Sequence, residues 1–209
     1  MKLLVIGASR GIGFNVLQQA LQAGHEVTAV VRDTKRLPIR HERLKVVKWD
    51  ILEKNVIEGA VNGQDAVCVT IGIKQTRKPV SVFSEGTKNV VEAMKKTSCK
   101  RLICVTGIGA GDSRNHGGFF YDKIIYHLLF KRIYEDKDRQ EAIVRESGLD
   151  WVIVRPGFLT NGIHTGKYRI LTELDGVKAG KISRADVADF ILREVTEMRY
   201  RRQTPLLTY

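Results

Sequence analysis

The sequence predicts an α/β fold: a doubly wound, mostly parallel sheet with helices on both faces, in three αβα layers. Three observations carry this. An apolar run, Leu3-Leu4-Val5-Ile6, leads directly into a glycine-rich turn and then a helical pattern. Short strand-like runs and helix-period segments then alternate through most of the chain, which argues a parallel sheet covered on both faces. The 209 residues suit one domain, residues 1–209, and no linker-like change in composition divides them.

The first turn is Gly7-Ala8-Ser9-Arg10-Gly11-Ile12-Gly13. It opens a helix with apolar residues at Ile12, Val16, Leu17, Ala20 and Leu21, closed by Gly24. Strand, glycine turn and helix form the setting a dinucleotide loop requires. Glycines let the backbone turn tightly and approach a pyrophosphate, whose charge meets the free N–H groups of the helix start. The same residues also fit the Gly-x-Ser-x-Gly elbow, with Ser9 as nucleophile. That elbow takes an oxyanion donor from an earlier strand's loop, and none is present; Gly13 also has no use in it.

Glu26 to Val31 is the second strand, followed by Arg32-Asp33-Thr34-Lys35-Arg36. An acidic residue at the end of this strand accepts the ribose hydroxyls of NAD, whereas a basic one suits the 2′-phosphate of NADP. Arg32, Arg36 and Arg10 favour NADP, since arginine gives phosphate forked, charge-assisted hydrogen bonds. Asp33 keeps NAD open. Leu44 to Lys48 is the third strand, and Asp50 and Ile51 beyond it are expected to border an adenine. Ala66 to Thr70 is the fourth, ending in Thr70-Ile71-Gly72, where Gly72 is either a cofactor approach or an ordinary turn glycine.

Val82 to Lys96 reads as a helix and Arg101 to Val105 as the fifth strand. The loop after it, Thr106-Gly107-Ile108-Gly109-Ala110-Gly111, has three glycines in five positions. It is expected to be mobile, with Thr106 the hydroxyl that meets a substrate or nicotinamide. Phe119 to Glu146 is a nearly continuous helical pattern. Its Phe119, Phe120, Ile124, Leu128 and Leu129 serve a substrate pocket, a partner helix or, for most of them, core packing. A pocket floored by Thr106 to Gly111 is expected to be roofed by Phe119, Phe120 and Tyr121. Trp151 to Val154 is the sixth strand, capped by Arg155-Pro156-Gly157, and Ser183 is the expected N-cap of the last long helix.

Lys and Arg number 35 against 23 Asp and Glu, for a net charge of +12. Such an excess favours an anionic ligand or nucleic acid. The charges are nevertheless spread along the chain, with small clusters at Lys95-Lys96, Lys100-Arg101 and Arg199 to Arg202, and solvated helix ends account for them. No nucleic-acid partner is expected. No secretory signal is seen and no apolar run approaches the ~20 residues of a membrane span, so no membrane partner is expected either. Cys68, Cys99 and Cys104 are odd in number and lack metal or redox spacing; they read as reduced thiols of a cytoplasmic protein. The five histidines are scattered, and no metal site is predicted.

Several pieces together resemble a known family. They are Gly7 to Gly13, Val31-Arg32-Asp33 with Arg36-Leu37-Pro38, Gly63-Gln64-Asp65-Ala66-Val67, and Ser84-Glu85-Gly86-Thr87-Lys88-Asn89. Arg145-Glu146-Ser147-Gly148-Leu149, Arg155-Pro156-Gly157 and Ile182-Ser183-Arg184 continue the set. Nearly the whole chain is similar to the atypical short-chain dehydrogenase/reductase proteins, within them the NmrA-like and biliverdin reductase B/flavin reductase group. The resemblance implies a Rossmann-like sheet, an NADP(H) site, and reduction of a flavin, a biliverdin-like tetrapyrrole or a quinone. The rival function is that of a non-catalytic NADP(H)-sensing regulator of the NmrA kind, and the oligomer is a monomer or homodimer. The larger set of expected cofactor residues includes Lys137 and Pro156, with Gly107, Ile108, Phe120 and Phe158 on the acceptor side.

One departure from the superfamily stands out. Its Tyr-x-x-x-Lys pair uses tyrosine as acid/base and lysine to lower the tyrosine's pKa. Lys137 stands at the lysine's place, but Ile133 stands at the tyrosine's; Tyr134 falls one residue late and is expected to point away, and neither Tyr121 nor Tyr126 has lysine four residues on. The serine of the biliverdin/flavin reductases falls at Gly107, leaving Thr106 beside it. Thr106 and Lys137 are therefore the expected catalytic residues. Hydride delivery to an electron-poor ring asks little acid/base help of a protein.

Overall fold

Each predicted apolar run becomes a strand of one sheet. The computed structural model describes residues 1–209, apart from the side chains of Asn55 and Tyr121. The strands are β1 (Lys2–Ile6), β2 (Glu26–Val31), β3 (Leu44–Lys48), β4 (Ala66–Val69), β5 (Arg101–Val105), β6 (Asp150–Pro156), β7 (Phe158–Thr160), β8 (Arg169–Leu171), β9 (Lys181–Ser183) and β10 (Leu206–Thr208). The main sheet runs β3-β2-β1-β4-β5-β6-β10-β8, parallel except where β8 meets β10, while β7 and β9 form a separate parallel pair. The helices are α1 (Gly11–Gln22), α2 (Lys54–Val61), α3 (Val82–Lys95), α4 (Lys131–Arg145) and α5 (Arg184–Glu197). This is a Rossmann-like doubly wound sheet, whose chain reverses direction between β1 and β4. Ligands bind at that switch, outside the carboxyl ends of the strands.

Alternation along β1 builds two cores at once. Leu3 and Val5 face α1 and α5, packing with Val16, Leu17, Phe190 and Ile191. Leu4 and Ile6 face the opposite layer, with Ile57, Val90 and Met94. Fully burying one such side chain stabilises the fold by roughly 1.5–3 kcal/mol. The starts of α3 and α5 are capped in different ways. Ser183 caps α5 as expected, its hydroxyl accepting from Asp186 N at 2.9 Å. α3 is capped from a distance: the buried Asp136 on α4 accepts from Phe83 N at 2.8 Å and from the Ser84 hydroxyl at 2.5 Å.

Three differences from the sequence reading have physical causes. α2 and β7 to β10 were not expected; the last four strands are three residues each, too short to show a period. Within the long helical pattern, Tyr121–Phe130 winds as a π-helix before α4 begins. Core packing of the apolar residues there is also corrected: Phe119, Phe120, Ile124, Leu128 and Leu129 are all exposed, because no element lies over them among the described residues. The cysteines are free and buried, Cys68 and Cys104 inside β4 and β5. Burial pushes these two thiols up to about 12 and Cys99 to about 11.

Candidate active site

The Gly7 to Gly13 turn lies at the carboxyl end of β1, against the end of β4. Gly7 has φ +90°, and a Cβ there would stand 2.8 Å from Thr70 O. A Cβ at Gly13 would overlap Thr70 Oγ1 and lie 2.5 Å from Gly7 O. Thr70 is itself buried and donates its hydroxyl to Ile6 O at 2.7 Å. The glycines thus let the loop close onto β4, and Thr70 is the residue they close on. At the start of α1, Arg10 has extended backbone, no side chain caps the first turn, and that turn has no acidic residue. Helix-start N–H groups that no side chain caps and no carboxylate competes for suit a pyrophosphate. Ala8 and Ile12 are buried and pack into the core, so they shape the loop rather than line it.

Around this loop the expected cofactor residues divide. Arg10 reaches across to Gly72 O at 3.3 Å, which joins the ends of β1 and β4. Asp33 is occupied: it accepts from Lys35 N at 3.1 Å and pairs with Arg36 at 3.2 Å. Arg32 is exposed and has no carboxylate within 4 Å among the described residues. Ile51 is corrected, because its side chain is core. It fills the hollow at Gly86, and Asn89 Nδ2 holds its carbonyl at 3.0 Å. Asp50 remains partly exposed at the end of β3 and Ile71 half-buried at the end of β4. Arg184, which no spacing argument singled out for the cofactor, stands beside the loop. Its Nε lies 3.8 Å from where a Gly11 Cβ would be, and Asn161 accepts from it at 2.8 Å.

The loop after β5 is packed rather than mobile. Gly107 and Gly109 have φ of 145° and 104°, and Cβ atoms there would meet the Tyr134 ring and hydroxyl at 3.2–3.3 Å. Ile108 N donates to Pro156 O, Gly109 N to Ser113 Oγ and Gly111 N to Asp138. Ile108 is corrected as an acceptor residue, since its side chain is buried with Leu174, Ala179 and Leu206. Phe120 is 69% exposed, so it does not roof this loop; the roof expected of Tyr121 lies outside the described residues. Phe158 is half-buried in β7.

Thr106 and Lys137 are both buried and turn their polar groups inward. The Thr106 hydroxyl donates to Glu141 Oε1 at 2.8 Å, and Lys137 Nζ donates to Thr106 O. This corrects the expectation that both groups meet the nicotinamide. They belong to a polar cluster behind the loop. Its centre is Arg155, fully buried, forked onto Glu141 at 2.9 and 2.6 Å and reaching Asp112 at 2.5 Å. Burial alone would pull the Arg155 guanidinium down, but Glu141 and then Asp112 outweigh it and hold it above its ordinary value.

Tyr134 is also corrected: it does not point away. Residues three apart share a helix face as residues four apart do, so Tyr134 and Lys137 both reach the Thr106–Gly109 loop. The Tyr134 ring stacks on Tyr126 at 5.5 Å. Its hydroxyl lies 3.2 Å from a would-be Gly107 Cβ, close to where a serine at Gly107 would carry its own. The i,i+3 spacing to Lys137 was the signal for it in the sequence.

Lys137 carries a pH signature. Burial lowers its pKa from 10.5 to about 8. Below that, folded and unfolded chains both hold the proton. Between about 8 and 10.5 only the unfolded chain does, so this group makes stability rise with pH in that window. Lys137→Met should lose that rise; urea unfolding of both proteins at about pH 7 and about pH 9.5 measures it. An equal change in both proteins would refute the assignment.

A Rossmann-like sheet with a glycine turn and an uncapped helix start at its switch point is the architecture of a dinucleotide-binding protein. The chain belongs to the NAD(P)H-binding family, whose model matches residues 7–198. It is 31% identical to the UPF0659 protein YMR090W of Saccharomyces cerevisiae, over 93% of this chain and 87% of that one. Two solved structures share its fold. ChuY from Escherichia coli O157:H7, described as an anaerobillin reductase, superposes with a TM-score of 0.83 at 24% identity, covering all of this chain and 97% of its own. A short-chain dehydrogenase/reductase from Veillonella parvula, solved in complex with NADP, superposes with a TM-score of 0.84 at 20% identity, covering all of this chain and 94% of its own.

Proposed function

We propose that the protein is an NADPH-dependent reductase that passes hydride to a planar conjugated acceptor, such as a flavin, a tetrapyrrole or a quinone. The observation that carries this reading is the Tyr134 hydroxyl held over Gly107 at the carboxyl end of β5, with Lys137 one turn behind it. NADPH supplies the hydride when bound. The α1 start and Arg184 suit the pyrophosphate, and Arg10, Arg32 and Arg36 suit the 2′-phosphate. The Arg155–Glu141 cluster keeps the β5 loop in place, and Tyr134 offers a proton at its phenolic oxygen to acceptors that take one. Free buried thiols agree with a reducing, cytoplasmic setting.

Steady-state NADPH oxidation against flavins, quinones and biliverdin tests the proposal. Turnover of at least one is expected. The rival reading is a non-catalytic NADP(H)-sensing regulator, and the inward-turned Thr106 hydroxyl and Lys137 ammonium favour it. Saturable NADPH binding without turnover of any acceptor would establish the regulator. For the cofactor preference, Arg32→Ala should weaken NADPH far more than NADH, by about 1.5–3 kcal/mol for a charged hydrogen bond lost. Calorimetry that shows equal loss for the two cofactors would remove Arg32 from the 2′-phosphate site.

A further inference from the structure

Between Phe119 and Arg132 the fold leaves an apolar ridge open. Phe119 is 77% exposed, Phe120 69% and Leu128 56%, and Ile124, Ile125 and Leu129 each expose more than a third. Exposed apolar side chains gathered on one face mark an interaction site. The π winding is what gathers it. Bonding from i to i+5 widens the turn to about 4.4 residues, or roughly 80° per residue. At that pitch Phe120, Ile124, Ile125, Leu128 and Leu129 fall within one arc of roughly 115°. At the α pitch of roughly 100° per residue they would spread over about 180°. Tyr126 and Phe130 turn away from the ridge and pack with Tyr134.

The ridge is bordered by cations. A cleft of about 290 Å³ places Leu128 and Leu129 among Arg77, His127, Lys131 and Arg132. Arg132 pairs with Glu135, whereas Arg77, Lys123 and Lys131 have no carboxylate within 4 Å among the described residues. We propose that this face docks on an anionic lipid surface, with the ridge entering the headgroup boundary and the cations meeting phosphates. Charge decides between occupants. A two-fold contact with a second copy would set these cations against themselves, while an anionic bilayer pairs them and also attracts a chain of net charge +12. Among the described residues no helix is long and apolar enough to cross a membrane, so the helix would lie on the surface rather than span it.

Co-sedimentation with extruded vesicles tests this without cofactor or acceptor. The full chain should bind vesicles of equal phosphatidylglycerol and phosphatidylcholine, and not phosphatidylcholine alone, with binding lost as salt is raised. Lys131→Glu or Lys123→Glu should each weaken binding about fivefold or more. Phe120→Ser with Leu128→Ser, both at exposed positions and checked for native circular dichroism, should weaken it tenfold or more. Absence of binding to the anionic vesicles at low salt, or unchanged binding by the Phe120/Leu128 variant, would overturn the proposal. So would a homodimer in sedimentation equilibrium that Phe120→Ser dissolves, which would assign the face to a second copy.

Discussion

Replacing Glu141 with Ala is expected to cost about 3–5 kcal/mol of stability, the usual result of stripping a buried charge of its partner. Arg155 is fully buried, and two of its nitrogens donate to Glu141. The remaining partner, Asp112, has a side chain that is 70% exposed, so it cannot neutralise the guanidinium as a buried carboxylate does. Water has no easy path either: Gly111 lies so close that a Cβ there would run into Arg155. Glu141 also accepts from Thr106, so its loss unties the start of the β5 loop. Glu141→Gln keeps the acceptor oxygen and should recover part of the loss. Urea unfolding measures both, and a loss below about 1 kcal/mol for Glu141→Ala would show that the cluster carries no charge worth pairing.

Tyr134→Phe is expected to lower kcat by about 10²-fold or more for acceptors that must gain a proton, and to leave flavins and quinones within a few-fold. The hydroxyl is the only group removed, and the ring keeps its stacking on Tyr126 and its edge contact with Phe130. Urea unfolding of the variant beside its kinetics separates a chemical role from a structural one. Reduction of a tetrapyrrole places hydride and proton on carbon and nitrogen in turn, so a positioned acid matters there. A uniform small effect on all acceptors would show that Tyr134 merely packs the loop. A loss of that size on flavins too would show that proton delivery limits every acceptor.

The sheet was legible because its central strands β1, β4, β5 and β6 are buried on both faces and its glycine turn obeys a rule of backbone space. β2, β3 and β5 occupy the ranges expected from their apolar runs. The three-residue strands β7 to β10 were not legible. Three residues cannot display a period, and their pairing is set by neighbours distant in sequence, as Leu206 on Leu171. Among site residues, Gly7, Gly13 and Arg32 lie where spacing put them, because the strand–turn–helix unit is local. Thr106 was misjudged because its hydroxyl turns to Glu141 on α4, and Lys137 and Tyr134 because of how that helix sits. Where a helical side chain points depends on the helix's rotation against the sheet, and α4 is rotated by what it must bury: Asp136, Lys137, Gln140 and Glu141.

By itself the sequence determined the fold class, the nucleotide turn and the basic residues that follow β2, since each depends on residues within one unit of chain. Tertiary structure alone decided that the glycines after β5 serve close packing under Tyr134 rather than motion. It alone decided that Arg155 is an interior cation held by Glu141, and that the apolar stripe beginning at Phe119 faces outward. Composition and period say that a side chain is apolar or charged. Whether it meets water depends on which elements lie over it, and that is fixed by contacts between segments far apart in the chain.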